Sequence, residues 1–315
     1  MLKTVIVGVL MGAAEVVPGV SGGTIAFVSG LYERLVKGIS HMTPLALLAL
    51  PRLGIRDWWR SYDINFLLVL FGAMGVSILV FAQGVHYLLE NHPVWIWSFF
   101  FGLVLASVYA VGRRLALHEI PVATALGCGI AIGFLVTRLV PVEAEVTALA
   151  LFTGGCIAVC AWILPGLSGS FILLTLGLYH AVIGAIKDLN LVIIAWVGLG
   201  CVVGIMAFSR VLSMMLARYH DLTVGVLVGF MIGSLVKIWP WKHTTSYQIK
   251  ADGGQIPVVQ EPVLPMSYQQ LTGADPETLF AVIACLLGMI IVVALDRFAL
   301  LTETDLSETD VVEKD

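Results

Sequence analysis

Charge is what this sequence has least of. Asp, Glu, Lys and Arg make up 12% of its 315 residues, against roughly 25% in soluble domains. In contrast, 59% of residues are hydrophobic and the mean hydropathy is +0.98. So few polar side chains cannot cover a globular surface, and the surplus apolar area must face lipid. A soluble enzyme and a disordered chain are both excluded. Basic runs interleaved with aromatics are missing too, and the net charge is only −4, which sets nucleic acid aside as a partner. Cysteine is sparse and odd in number: Cys128, Cys156, Cys160, Cys201 and Cys285 all fall inside apolar stretches, so no disulfide framework is expected. Cys156 and Cys160 share a helix face, but no second Cys pair or His pair stands near them at ligand spacing, and packing is the reading rather than a metal site. No cofactor is implied. A cleavage site is missing as well: the apolar character after Lys3 runs on into a motif, so the start reads as mature protein.

What the chain has in abundance is apolar segments, near 4–17, 24–36, 64–89, 94–112, 120–140, 146–164, 170–186, 189–216, 222–239 and 278–296. The long ones approach or exceed the ~20 residues of a spanning helix. The pairs within 4–36 and 146–186 differ: each member runs only a few turns from a Pro-Gly-x-Ser-Gly break, enough to reach about the bilayer midplane at ~1.5 Å per residue. They read as re-entrant hairpins. The breaks repeat, Val17–Gly23 as VPGVSGG and Leu164–Ser170 as LPGLSGS. At a constant offset of 147, Pro18 matches Pro165, Gly19 Gly166, Ser21 Ser168, Gly22 Gly169, Gly30 Gly177 and Tyr32 Tyr179. Beyond the motif the offset falls to about 127 (Gly102 with Gly229, Ser107 with Ser234), because the first half carries an added loop, Met42–Tyr62. The expected fold is therefore an all-α polytopic membrane protein of two repeats, 1–143 and 144–300, each a hairpin plus three spans.

A hairpin returns to its own side and three spans cross over, so the halves must be inverted. With the N-terminus cytoplasmic, 12 basic residues fall on the inner face and five on the outer, namely Arg138, Lys187, Lys237, Lys242 and Lys250, a positive-inside bias. Trp58, Trp59, Trp95, Trp97, Trp239 and Trp241 fall at span ends as interfacial anchors. The stretch 241–276 reads as an outer loop, and 301–315 as an acidic, frayed cytoplasmic tail.

Inverted repeats with helices broken at the midplane are the pattern of secondary transporters. Pro18 ends the incoming half-helix, the glycines let the backbone turn and approach a ligand, and Ser21 or Thr24 can cap the outgoing half-helix. The free N–H groups at that end favour an anion, phosphate above all. Candidate phosphate contacts are Ser21, Gly22, Gly23 and Thr24 in one copy and Ser168, Gly169 and Ser170 in the other. A packing kink is the alternative, weakened by the motif's recurrence in both halves. Glu15 is the acidic residue placed near the membrane centre, at the negative end of its half-helix, which suits a protonatable or cation-binding group. Its counterpart is Trp162, so any proton or sodium coupling site occurs once. Arg34 and Arg138 stand at segment ends as snorkelling anchors or head-group contacts, and His180 replaces Glu33 in the second copy.

Glu15 to Thr24, with TIAFVSGLYERL after it, resembles the bacterial polyprenyl-phosphate transporters of the PopT type. The resemblance covers nearly the whole chain. It implies a flippase in the bacterial cytoplasmic membrane that returns undecaprenyl phosphate from the outer to the inner leaflet for carrier-lipid recycling, and the basic-residue bias puts both termini in the cytoplasm. The phosphate head would pass through the protein while the isoprenoid tail stays in lipid. The competing class is an undecaprenyl-pyrophosphate phosphatase of the BacA type, whose similar motif carries an Arg to stabilise the transferring phosphoryl group. Gly22 and Gly169 occupy that position here, which removes the main electrostatic element of such chemistry. Lipid phosphatases of another type need a Ser-Gly-His, and none is present. A channel is disfavoured because no repeated ring of charge lines a pore. The coupling ion, tail-length preference and any homo-oligomer stay open.

Overall fold

A computed structural model of the chain describes residues 1–17, 19–42, 54–139, 145–249 and 255–312. Pro18, most of the added loop 42–62 and Lys250 thus lie outside the described residues. The first half opens with short helices α1 (Leu2–Glu15), α2 (Gly22–Val28) and α3 (Tyr32–His41). A short α4 (Ile55–Ser61) precedes three long helices, α5 (Ile64–Asn91), α6 (Pro93–Gly112) and α7 (Ile120–Thr137). The second half repeats the order with α8 (Ala148–Ile163), α9 (Gly169–Thr175), α10 (Tyr179–Lys187), α11 (Leu191–Arg218) and α12 (His220–Ser234), the last tightening into a 3-10 turn over Leu235–Ile238. Strands β1 (Lys242–Ile249) and β2 (Gln255–Pro262) and helix α13 (Pro265–Thr272) follow, and α14 (Thr278–Val312) closes the chain.

Among the described residues six helices are long and apolar enough to cross a membrane, three in each half. The chain is an all-α, multi-spanning membrane protein. The span starts obey local rules: Pro93 and Pro121 sit in the first turns of α6 and α7, where no intrahelical N–H bond is lost, and Asn190 accepts from Ile193 N–H to cap α11. Large apolar side chains such as Leu79, Leu149, Leu191 and Ile290 point outward, as a lipid-facing surface requires.

Three expectations need correction. The outgoing arms 24–36 and 170–186 are each two short helices rather than one, and α9 and α10 are bent by 113°. The cause is Gly30 and Gly177, whose φ of +73° and +71° end the helix that carries them. The loop 241–276 contains an antiparallel ribbon in which Lys242 pairs with Pro262 and Thr244 with Gln260. Where a frayed tail was expected from 301, the backbone of α14 stays helical through Val312.

α1 lies along α5, Gly8 against Leu70 and Ala73 and Gly12 against Met74 and Ser77. α8 lies along α11 in the same manner, Gly155 against Val197 and Cys201 and Gly204 against Cys156 and Val159. Both short helices therefore stop beside the middle of a 28-residue helix. The thiols of Cys156 and Cys160 donate to the carbonyls of Gly200 and Gly204 in that seam. The halves are joined crosswise: α7 packs on α12, and α6 on α14. α7 and α12 meet at backbone distance, since a Cβ on Gly133 would stand 2.6 Å from Phe230 O. The main core gathers on α1 to α3, with Met11, Val17, Ile25 and Val36 packed against Leu70 and Met231.

Charge sorts to the two ends. Where α5 begins and α6 ends, Arg34 pairs with Asp63, Glu33 with His220, and Arg113 and Arg114 both with Asp296. The opposite end carries the β ribbon, which Trp239 and Trp241 pin by donating to Val263 O and Pro276 O.

Candidate functional site

The two motif copies share a turn at their first glycine. Gly19 and Gly166 stand at φ +92° and +91°, a conformation that strains any residue with a Cβ. This turn doubles the chain back so that the end of α1 faces the start of α2. Ser21 Oγ accepts from Gly23 N–H at 3.1 Å, and Glu15 Oε1 accepts from Gly22 N–H at 2.7 Å. Two of the donors left over at the start of α2 are thus satisfied by the chain itself. Expectation placed Glu15 at the dipole end remote from the anion site; the geometry puts its carboxylate on the first amide of that site, with Trp162 beside it.

The copies also meet each other. Ser21 Oγ donates to Trp162 O at 3.1 Å, Tyr32 Oη donates to Ile163 O at 3.2 Å, and Gly166 N–H donates to Thr24 Oγ1 at 3.0 Å. The break after α8 orphans these backbone groups, and the first copy supplies their partners. Ser21, Thr24 and Tyr32 are buried. The approach needs glycine at 23, where a Cβ would stand 2.8 Å from Ile163 O and 3.2 Å from Trp162 O. Tyr32 was legible only as a matched position of the repeat; its role as a tie between copies was not.

The second copy is built differently. Ser168 occupies the N-cap of α9, yet no side-chain cap bond is made; its hydroxyl shares a 2.7 Å hydrogen bond with that of Ser170. Gly169 and Ser170 are half-buried, whereas Gly22 and Gly23 are buried. The second opening therefore presents hydroxyls and amides without a carboxylate on them. Neither copy has room for the phosphatase Arg: a Cβ on Gly22 would stand 2.8 Å from Glu15 Oε1, and one on Gly169 2.7 Å from Ala158 O.

Arg34 and Arg138 separate in the structure. Arg34 is bidentate to Asp63 at 2.6 and 2.9 Å and lies over the Phe66 ring, so its donors are engaged away from the motifs. Arg138 lies over Phe134 and lines a small cavity of about 30 Å³ with Lys237 and Lys242. In the sequence the two lysines stand only as outer-face charges, and their place within the Trp-rich span end Lys237–Lys242 is the available signal. Burial, helped by the charge of Lys237, holds the Lys242 ammonium well below its usual range. No group of three or more His, Cys, Asp or Glu is placed to hold a metal ion among the described residues.

Comparison with known proteins gives a consistent picture. Residues 11–256 match the family model described as undecaprenyl phosphate translocase-like. A polyprenyl-phosphate transporter of Vibrio cholerae serotype O1 is 41% identical over 298 residues, 95% of this chain and 97% of that one. A polyprenyl-phosphate transporter of Staphylococcus aureus is 29% identical over 252 residues, covering 74% and 84% of the two chains. No solved structure matches significantly.

Proposed function

The chain belongs to the undecaprenyl phosphate translocase-like family, and from that premise we propose that it carries a polyprenyl phosphate, undecaprenyl phosphate or a close relative, from the outer to the inner leaflet without altering it covalently. The observation that carries the reading is the meeting of two broken helices beside the middle of long apolar ones. Ser21, Tyr32 and Thr24 of one copy satisfy the interrupted backbone of the other. Irregular backbone at such depth persists where it lines a pathway or is buried in protein.

The repeats are inverted. α1 starts beside the beginning of α5, at the end where Arg34 meets Asp63, while α8 starts beside the beginning of α11, whose other end leads to His220 and its bond to Glu33. The two short helices thus run in from opposite ends of the molecule, and the bent pairs are re-entrant hairpins. The positive-inside rule puts the ion-paired end and both termini in the cytoplasm and the β ribbon outside. The phosphate is held at the opening of α9 by Ser168, Gly169 and Ser170, with Ser21 to Thr24 forming the facing wall. Glu15 takes up a proton or sodium ion, and its bond to Gly22 N–H ties that event to the motif.

The test is transport of labelled undecaprenyl phosphate in proteoliposomes, with and without proton and sodium gradients. Protein-dependent translocation with no release of inorganic phosphate from undecaprenyl pyrophosphate is expected. Hydrolysis lost on Ser21→Ala would favour the phosphatase instead. Cysteines placed in β2 should label from outside and cysteines in α4 should not; labelling of both from one side would refute the inversion.

A further inference from the structure

The cavity between Arg138, Lys237 and Lys242 is built from three separate elements: the residue after α7, the 3-10 turn after α12 and the first residue of β1. Among the described residues none of the three cations makes an ion pair or hydrogen bond. Thr137, Gln260 and Pro262 complete much of the wall, and no carboxylate is among the lining residues. Each cation rests instead on an aromatic face: Arg138 on Phe134 at 5.1 Å, Lys237 on Phe171 at 4.4 Å, and Lys242 on Trp97 at 3.2 Å. Rings hold a cation in place without cancelling its charge. The Lys242 Nζ is buried and without a hydrogen-bond partner, an arrangement that disfavours the charged form unless something supplies the counter-charge.

One wall of the cavity, Lys237, also reaches the motifs. Phe171, under Lys237, is the third residue of α9, which opens with Gly169 and Ser170. A Cβ on Gly19 would lie 3.8 Å from the Lys237 side chain and 3.9 Å from the Trp97 ring. Lys237 therefore borders both breaks at once. A volume of about 30 Å³ exceeds the ~10–15 Å³ that a water needs. It leaves no room for an isoprenoid chain.

We propose that Arg138, Lys237 and Lys242 form a capture site for a phosphate monoester dianion, occupied before the head group reaches the motif site. The inference rests on the transport reading, since it takes the lipid head group rather than free phosphate as the natural occupant. Its chemistry stands independently: three uncompensated donors match a dianion, with Arg138 supplying the planar fork suited to phosphate oxygens. Capture speeds loading at low lipid concentration and leaves the later translocation step to the motifs.

The test uses the full chain in nanodiscs, titrated with undecaprenyl phosphate, with undecaprenol and with inorganic phosphate, alongside transport in proteoliposomes. Lys242→Met should weaken undecaprenyl phosphate binding about tenfold and the triple Arg138→Gln, Lys237→Met, Lys242→Met about 100-fold or more, with undecaprenol binding unchanged. Lys242→Arg, which keeps the charge, should restore most of the affinity and guards against misfolding as the cause. In transport, the concentration for half-maximal rate should rise while the maximal rate moves less than twofold. Unchanged lipid-phosphate affinity in the triple variant, with transport intact, would overturn the capture site and leave the transport reading standing. Charge-dependent phosphate binding in a protein that moves no lipid would overturn the transport reading and keep the anion site. Dependence on the three cations for inorganic phosphate alone would assign the cavity to free phosphate and overturn the capture role.

Discussion

Thr24→Val is the sharpest probe of how the two motif copies hold together. The hydroxyl of Thr24 accepts the buried amide of Gly166 at 3.0 Å, across 142 positions of sequence. Valine fills nearly the same volume, so the substitution removes the acceptor and little else. A buried N–H left without a partner costs ~1–3 kcal/mol, and at ~2 kcal/mol the balance between joined and separated motifs moves roughly 30-fold. Ser21→Ala removes a cap worth ~1 kcal/mol and leaves Trp162 O unpaired. If both ties hold the same seam, the double variant should lose ~0.5–3 kcal/mol less than the sum of the singles. Thr175→Val serves as control, because that hydroxyl only donates to Phe171 O within its own helix and its loss leaves no N–H without a partner, so its effect should be smaller than that of Thr24→Val. Thermal unfolding of purified protein in one detergent compares all four. A Thr24→Val midpoint indistinguishable from that of Thr175→Val, or strict additivity with Ser21→Ala, would show that the copies are not joined through these bonds.

Glu15→Gln keeps an oxygen that can accept from Gly22 N–H but cannot titrate, so the protein should fold and bind lipid while the dependence of transport on pH or sodium flattens; wild-type ion dependence would remove Glu15 from the coupling role. Asp296 is 9% exposed at its side chain and holds Arg113 and Arg114 at 2.5 and 2.6 Å. Asp296→Asn should lower stability by ~1–3 kcal/mol, less than the full cost of breaking a buried pair because both guanidinium groups reach solvent; an unchanged melting temperature would refute it. Burial places the folded-state value of Lys242 well below the ordinary 10.5. Between that lowered value and 10.5 the unfolded chain binds the proton and the folded chain does not, so stability should rise with pH through the window. Lys242→Met should abolish that rise in a melting series against pH, and a slope that persists in the variant would place its origin elsewhere.

The spans were legible because each is an apolar run bounded by proline or charge, and the motif repeat because an unbroken offset of 147 pairs Gly19 with Gly166 and Gly30 with Gly177, whose φ values agree to within about 2°. Other features carry no such mark. Ser21 and Tyr32 bond to carbonyls of Trp162 and Ile163, and every residue type has a carbonyl, so nothing in the sequence singles out the partner. The contact of Glu15 with Gly22 depends on how the chain turns at Gly19, which the motif permits without specifying. Arg138, Lys237 and Lys242 converge because α7 packs on α12 across the halves, a pairing that periodicity within each half cannot reveal. The β ribbon was hidden by the glycines and prolines of 241–276, although Thr244, Thr245, Tyr247 and Ile249 favour strands.

The departures from symmetry between the copies bear on direction. Had the halves been alike, each end would offer the same anion site and the same carboxylate. Instead the uncompensated cations gather at the ribbon end, the Arg–Asp pairs at the other, and Glu15 faces Trp162 where a second carboxylate would stand. A cationic cavity at one end raises the rate of loading from that end, but it must also retain head groups returning to it. A site of that kind speeds exchange without displacing the equilibrium between leaflets, since a binding interaction shifts populations only through its difference between states. Net movement against a lipid gradient therefore has to come from a group whose occupancy differs on the two sides. Glu15 is suited to that part because its carboxyl can gain or lose a charge while in contact with the motif through Gly22 N–H. Removal of the cations should then slow transport equally in both directions, and removal of the carboxylate should abolish only the response to an ion gradient.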